Sequence, residues 1–170
     1  MINYEKFIDK ETNFLFNEAT LNMEKEQVSG GLVKLHSLLV DYQYNFRVLH
    51  WKTVSNNFDG THALMAEYYT KLEEFLDSVA EILLILDINP VSLEECAKVN
   101  DVDCDPNKDY TRKECIEKTN EMLNNLVSAI NNAQKGLPED MQDELKQMQF
   151  YIRKEVEYKG KARAKQAGDI

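Results

Sequence analysis

Apolar residues recur every three or four positions in four long segments of this chain, which is the spacing of a helix face that packs against other helices. The first segment includes Leu32, Leu35 and Leu39, and the second includes Leu72 and Phe75. Only six glycines and three prolines occur in the 170 residues, which favours long helices over many short strands. The pattern predicts an all-α fold, a four-helix bundle.

Capping residues and turn formers indicate where the helices begin and end. Ser29 suits the N-cap of the first long helix, and Pro90 follows the end of the second. The third helix is predicted to begin near Thr111, because Thr111 and Glu114 have the spacing of a capping box. Gly136 suits the C-terminal end of that helix, and the fourth helix follows directly.

The remaining segments lie outside the four helices. A short helix between the second and third is predicted from Ser92, a suitable cap for Leu93-Glu94-Glu95. We therefore divide the chain into three parts: an N-terminal extension (1–28) that could hold a short helix, the bundle (29–158) and a basic C-terminal tail (159–170).

Charge and composition limit the classes of function. The net charge is −10, which attracts cations and disfavours general binding to nucleic acid. The sequence contains no run of 18 apolar residues, so no membrane span is predicted. Its first ten residues carry acids and lack the apolar core of a signal peptide, so a cytoplasmic location is expected. Cys96, Cys104 and Cys115 match no zinc-binding spacing, so free thiols are expected.

Imidazole and carboxylate side chains between residues 50 and 90 are candidates for a metal site. His50, His62, Asp77 and Glu81 together suit iron(II), a borderline cation that takes nitrogen and oxygen ligands. Two ordinary explanations compete with this one: His50 could be a hydrogen-bonded core residue, and the two acids could form a solvated helix face. The consecutive apolar residues 82–86, however, exceed what one bundle would bury, and they indicate a subunit contact beside the acids.

The segment from His50 to Pro90 resembles the signature of the Dps family, named for DNA-binding protein from starved cells. That signature has a His-Trp pair, an Asn-Phe pair, a second His, an Asp that precedes Ala-Glu by two residues, and a Leu-x-x-x-Pro ending. This chain supplies, at matching intervals, His50-Trp51, Asn57-Phe58, His62, Asp77-Ser78-Val79-Ala80-Glu81 and Leu86-Asp87-Ile88-Asn89-Pro90. The resemblance implies a ferritin-like four-helix bundle with a short extra helix between helices two and three.

The resemblance also implies a shared iron site and a cage. His50 and His62 would be ligands from one subunit, and Asp77 and Glu81 would come from its neighbour across a twofold axis. Trp51 would lie beside the iron and quench radicals. The expected assembly is a dodecamer that oxidises iron(II), preferably with hydrogen peroxide, stores ferric oxide and protects against oxidative damage.

The chain departs from the Dps pattern at several positions. An acid common four positions after the second His is replaced by Ala66, and an Arg common after the second site acid is replaced by Ile82. Glu67, next to Ala66, is a candidate nucleation acid on the inner wall. Four acids at the start of helix four are candidates for an iron-admitting pore: Glu139, Asp140, Asp143 and Glu144.

Two other functions remain open from the sequence. The tail carries Lys159, Lys161, Arg163 and Lys165, so a cage with a weakened metal site that coats DNA is the alternative, with many copies giving avidity. The same cations also suit the C-terminal end of an ordinary solvated helix. A helical interaction protein without a cage is the third reading.

Overall fold

A computed structural model describes the backbone of residues 5–99 and 102–168 and the side chains of residues 29–98 and 102–166. Within these ranges the chain forms α-helices and no β-strand: α1 (Glu5–Lys52), α2 (Phe58–Ile85), α3 (Leu93–Cys96), α4 (Arg112–Ala133), α5 (Glu139–Arg153) and α6 (Lys161–Gly168). A 3-10 turn follows α3 at Ala97–Val99, and a π-helical segment joins α5 to α6 at Lys154–Gly160.

Four of these helices form a bundle around one apolar core. Helix α1 packs along α2 and α4, and α5 packs on α4. The core side chains are almost completely buried and come from all four helices: Leu35, Tyr42, Phe46, Met65, Leu72, Val79, Leu83, Met122, Leu126, Leu145 and Ile152. Each such side chain contributes roughly 1.5–3 kcal/mol through burial. The predicted four-helix bundle with a short extra helix is confirmed.

Local capping follows the sequence closely in the second half of the chain. The Ser92 hydroxyl accepts a hydrogen bond from the backbone N–H of Glu95 at 3.3 Å. Thr111 and Glu114 form the complete capping box, because the Glu114 N–H donates to the Thr111 hydroxyl and the Thr111 N–H donates to the Glu114 carboxylate. Gly136 has a φ of 78°, the left-handed conformation that glycine adopts at low cost after a helix.

The predicted helix start at Ser29 is wrong, because α1 already begins at Glu5 and passes through this position without a break. Ser29, Gly30 and Gly31 are weak helix formers, but the helix continues because Gly31 lets α1 approach α4 closely. A Cβ atom at Gly31 would lie 3.0 Å from the Cα of Ala133. Residues 5–28 of the predicted extension belong to α1 rather than to a separate short helix, and the side chains of residues 1–28 lie outside the described residues.

Helix α2 ends in a Schellman motif built around a non-glycine residue. The Ile88 N–H donates to the Leu83 carbonyl at 2.9 Å, and the Asp87 N–H donates to the Leu84 carbonyl at 3.1 Å. Asp87 adopts a φ of 60°, a left-handed conformation that costs an L-residue roughly 1 kcal/mol. Asp87 therefore carries backbone strain at the end of α2.

The apolar end of α2 is only partly covered by its own bundle. Ile82 and Leu83 are buried, whereas Leu84 and Ile85 are 60% and 69% exposed. Across the described helices, none combines the length and apolar character needed to span a membrane.

The end of the chain is helical as far as residue 168. The predicted fourth helix divides into α5 and the π-helical segment, and α6 lies within the predicted basic tail. Gly160 lies against Asn120 of α4, and a Cβ atom there would be 2.7 Å from the Asn120 side-chain oxygen. The C-terminal segment is thus packed on the bundle.

Candidate metal centre

His50 and His62 meet at the junction of α1 and α2. His50 lies in the last turn of α1, and His62 lies one turn into α2. Their rings stack with centroids 3.6 Å apart and planes 24° from parallel. The intervening turn is fastened to the segment before α4, because Val54 N–H donates to the Tyr110 carbonyl and Tyr110 N–H donates to the Lys52 carbonyl, each at 2.8 Å.

Reciprocal hydrogen bonds fix the orientation of both rings. His50 Nδ1 lies 2.8 Å from the backbone oxygen of His62, and His62 Nδ1 lies 2.8 Å from the backbone oxygen of His50. A carbonyl oxygen only accepts, so each Nδ1 is the donor and carries the proton. In the neutral rings the lone pair is therefore on Nε2. Metal-binding histidines commonly have this arrangement, with one nitrogen donating to the protein and the other available to the metal.

Aromatic side chains enclose the histidine pair. Phe58 stacks on the outer side of His62 with ring centroids 5.0 Å apart. Tyr69 meets His50 edge-on at 5.4 Å, and the Arg47 guanidinium lies over the Tyr69 ring at 4.4 Å. The sequence patterns did not single out Arg47 or Tyr69. Helical spacing could have indicated both residues, because Arg47 lies one turn before His50 on α1 and Tyr69 lies two turns after His62 on α2.

Trp51 follows His50 but points to a different side of the helix. Its side chain is 59% exposed, and its ring meets the Tyr44 ring edge-on with centroids 6.4 Å apart.

The carboxylates predicted for the site lie far from the histidines of the same chain. Asp77 and Glu81 are exposed and one turn apart on α2. Asp77 follows His62 by fifteen positions, about 22 Å along a helix that rises 1.5 Å per residue. Among the described residues of one chain, no three His, Cys, Asp or Glu side chains form a group that could hold a metal ion.

Glu67 lies on a different face of α2 from the histidine pair. It lines an open groove with Ala63, Thr70, Glu74 and Tyr151. Burial raises the pKa of the Tyr151 phenol to about 12, and the carboxylates of Glu155 and Glu67 reinforce this shift. The role of Glu67 in nucleation remains a prediction.

The four candidate pore acids lie at the beginning of α5. Glu139, Asp140 and Asp143 are exposed and Glu144 is half-buried. Asp140 accepts a hydrogen bond from the N–H of Met141 at 3.0 Å, and Asp143 pairs with Lys146 at 2.7 Å. These contacts are those of ordinary helix-start acids, so pore lining also remains a prediction.

A buried charge network at the C-terminal end was missed by the sequence reasoning. The Glu155 side chain, 1% exposed, accepts from Lys159 at 2.6 Å and from Arg163 at 2.9 Å. Tyr68 of α2 also donates to Glu155, at 3.0 Å. Burial by itself would raise the pKa of Glu155, but these hydrogen bonds outweigh it and the pKa lies below its usual value.

This network changes the interpretation of the basic tail. Two of its four cations, Lys159 and Arg163, are engaged by Glu155, which reduces the charge that the segment can offer to DNA phosphates. The ion pair between Glu155 and Lys159 could have been predicted from the sequence, because residues four positions apart are neighbours on a helix.

The family described as "Ferritin: Ferritin-like domain" matches residues 31–158. The chain belongs to the ferritin-like family. Within that family, its fold is the one found in Dps proteins.

Several solved structures resemble this ferritin-like chain. Dps from Staphylococcus aureus has a TM-score of 0.74 and 22% identity, with 82% of this chain and 95% of that chain covered. Antigen TpF1 from Treponema pallidum has a TM-score of 0.77 and 19% identity, with 84% and 94% covered. Dps from Vibrio cholerae O1, described as a member of a broad superfamily of ferritin-like diiron-carboxylate proteins, has a TM-score of 0.73 and 18% identity, with 82% and 90% covered.

A curated relative covers less of the ferritin-like chain. An uncharacterized protein from Haemophilus influenzae is 35% identical over 77 residues, which span 44% of this chain and 48% of that protein. The match thus spans about half the length of the curated relative.

Proposed function

We propose that this ferritin-like chain is the subunit of a Dps-type mini-ferritin, a ferroxidase that oxidises iron(II), preferably with hydrogen peroxide, and stores ferric oxide in a cage. The observation that carries the proposal is the reciprocal pairing of His50 and His62, each with Nδ1 bonded to the other's carbonyl oxygen at 2.8 Å. This pairing leaves the two Nε2 atoms without a hydrogen-bond partner among the described residues. Both imidazoles are half-buried rather than enclosed in the core.

The histidines alone make an incomplete iron site, and a second copy of the chain completes it in this proposal. Asp77 and Glu81 of the partner subunit would supply the carboxylates, because the described residues of one chain add no third metal-ligating side chain to the histidine pair. Carboxylates stabilise iron(III) more than iron(II), because the attraction grows with the charge of the ion. Two iron(II) ions then give one electron each to hydrogen peroxide, which takes up two protons and leaves as two waters.

The remaining features fit the same assembly, a dodecamer with a hollow interior. Trp51 would donate an electron to radicals that escape the iron site. Glu67 would help nucleate ferric oxide, and the acids from Glu139 to Glu144 would line the entrance for iron. The three cysteines Cys96, Cys104 and Cys115 are free thiols, which supports a reducing cytoplasmic location.

The test is an anaerobic iron(II) titration followed by a pulse of hydrogen peroxide, with the absorbance of ferric species followed in time. We expect rapid oxidation in the wild type, with iron retained in solution. His62→Ala should oxidise iron roughly 10- to 100-fold more slowly. Asp59→Asn is the matched control, because Asp59 is an exposed acid one turn before His62 and is assigned no ligand role.

Two outcomes would overturn the proposal. One is an equal, slow rate and precipitated iron in the wild type and in His62→Ala. The other is a particle mass, from light scattering, of a monomer or dimer, since the site requires a second copy and storage requires a closed shell.

A further inference from the structure

A single stripe of side chains runs along α2 from the histidine pair to the distant carboxylates. Its positions are three or four residues apart, which places them on one face of the helix: His62, Ala66, Tyr69, Glu73 and Asp77. The stripe differs from the core face, because Glu73 and Asp77 are exposed and the others are half-buried. The stripe therefore lies on the outside of the bundle, where a second subunit could pack against it.

The proposed function fixes the register in which a second copy covers this stripe. If His62 of one subunit meets Asp77 of the partner subunit, twofold symmetry requires Asp77 to meet the partner subunit's His62. The two α2 helices then run antiparallel, and every step forward on one helix is a step back on the other. In this register the residue opposite Ala66, one turn from His62, is the partner's Glu73.

We propose that Glu73 is a further carboxylate of the shared iron site, delivered across the twofold axis together with Asp77. The inference rests on the proposed function. Ala66 has no functional group and leaves room beside His62 for a longer side chain from the other subunit. Glu73 is suited to fill that room, because its side chain is 65% exposed and is not tied to its own bundle by burial.

Arg47 is the neighbour that competes with iron for this carboxylate. Its guanidinium nitrogen lies 3.8 Å from the Glu73 carboxylate, while the guanidinium group stacks over Tyr69. At 3.8 Å the pair is a loose ion pair rather than a short hydrogen bond. Iron(II) carries two charges and attracts the carboxylate more strongly than Arg47 does at similar distance. A purely structural ion pair and an iron ligand therefore predict opposite effects of removing Arg47.

The experiment measures anaerobic iron(II) affinity by calorimetry on assembled protein, with assembly checked by light scattering. Glu73→Gln should weaken iron(II) binding by at least about tenfold. Glu74→Gln is the matched control, because Glu74 is the adjacent acid but pairs with Lys71 on another face of α2; its affinity should equal that of the wild type. Adding Ala66→Glu to Glu73→Gln should restore binding, since it returns a carboxylate to the same place.

Arg47→Gln separates the two roles of Glu73. As an iron ligand freed from its competitor, Glu73 should then bind iron(II) more tightly than in the wild type. If Glu73 matters only through its ion pair with Arg47, both variants should weaken binding alike, and the proposal is overturned. Should Glu73→Gln fail to assemble, Glu73→Asp replaces it, with weaker binding again expected because the carboxylate is withdrawn by one methylene.

Failure of this inference is distinguishable from failure of the proposed function. Unchanged affinity in Glu73→Gln, with lost affinity in Asp77→Asn, would reject Glu73 as a ligand and leave the shared site intact. Equal and weak affinity in the wild type and in Asp77→Asn would reject the shared iron site, and the role of Glu73 with it.

Discussion

The buried carboxylate of Glu155 fastens the C-terminal helix, so its neutralisation should loosen that helix selectively. Glu155→Gln keeps the shape of the side chain but leaves Lys159 and Arg163 facing an uncharged amide. Lys159 is 41% exposed and contributes little, whereas Arg163 is 19% exposed and bonds to a side chain with 1% exposure. Discounting the exposed pair, we expect a loss of about 2 kcal/mol in the local opening free energy.

Hydrogen exchange measured by mass spectrometry reports this opening directly. A loss of about 2 kcal/mol corresponds to roughly 30-fold faster exchange in peptides from α6, with peptides from the core of α1 unchanged. Glu157→Gln is the control, because Glu157 lies in the same π-helical segment and is exposed. Exchange in α6 that is equal in the wild type and in Glu155→Gln would refute the reasoning.

The difference in α6 stability between the wild type and Glu155→Gln should depend on pH. Hydrogen bonds from Lys159 and Arg163 outweigh burial and lower the pKa of Glu155 in the folded protein. A lowered folded pKa gives stability that is fully present above the unfolded value of about 4.3 and is lost as the pH falls through the folded value. The gap between the wild type and Glu155→Gln should therefore be constant near neutral pH and close in acid.

Two further predictions concern stability and reactivity. Asp87→Gly should raise the free energy of unfolding by about 1 kcal/mol, because the residue has a φ of 60°, and a lower melting temperature in thermal denaturation would contradict this. The thiols of Cys96, Cys104 and Cys115 should resist labelling by a thiol reagent in the native protein but react after denaturation. Burial raises the pKa of all three thiols. For Cys104 the pKa rises to about 12, which leaves this residue with roughly a thousandfold less thiolate than a free cysteine has. Complete native labelling within minutes would refute this prediction.

Features that depend on neighbouring residues could be predicted from the sequence. The Thr111–Glu114 capping box and the Ser92 cap need only three-residue spacing, and both form as expected. The Ser29 cap was wrong because the local rule ignores tertiary packing: Gly31 gains contact with Ala133 only when α1 and α4 are together.

Features that join distant residues were accessible only in part. The candidate ligands His50 and His62 could be selected from residue type and a resemblance, but their mutual hydrogen bonds depend on how the turn between α1 and α2 closes. The link between Tyr68 and Arg163 joins residues 95 positions apart, and no periodicity encodes it. The shared-site assignment of Asp77 and Glu81 stays a prediction, because it concerns a contact between two chains.

The hydrogen bonds between His50 and His62 also determine at which stage the two side chains lose their conformational entropy. Each ring is immobilised by the other's main chain during folding, and Phe58 closes the outer side of the stack. If the pair binds iron(II) as proposed, the ion meets imidazoles that are already held in place, so little side-chain conformational entropy is lost on binding. The rate of capture should then depend on how quickly the ion sheds water, and not on side-chain rearrangement in the protein.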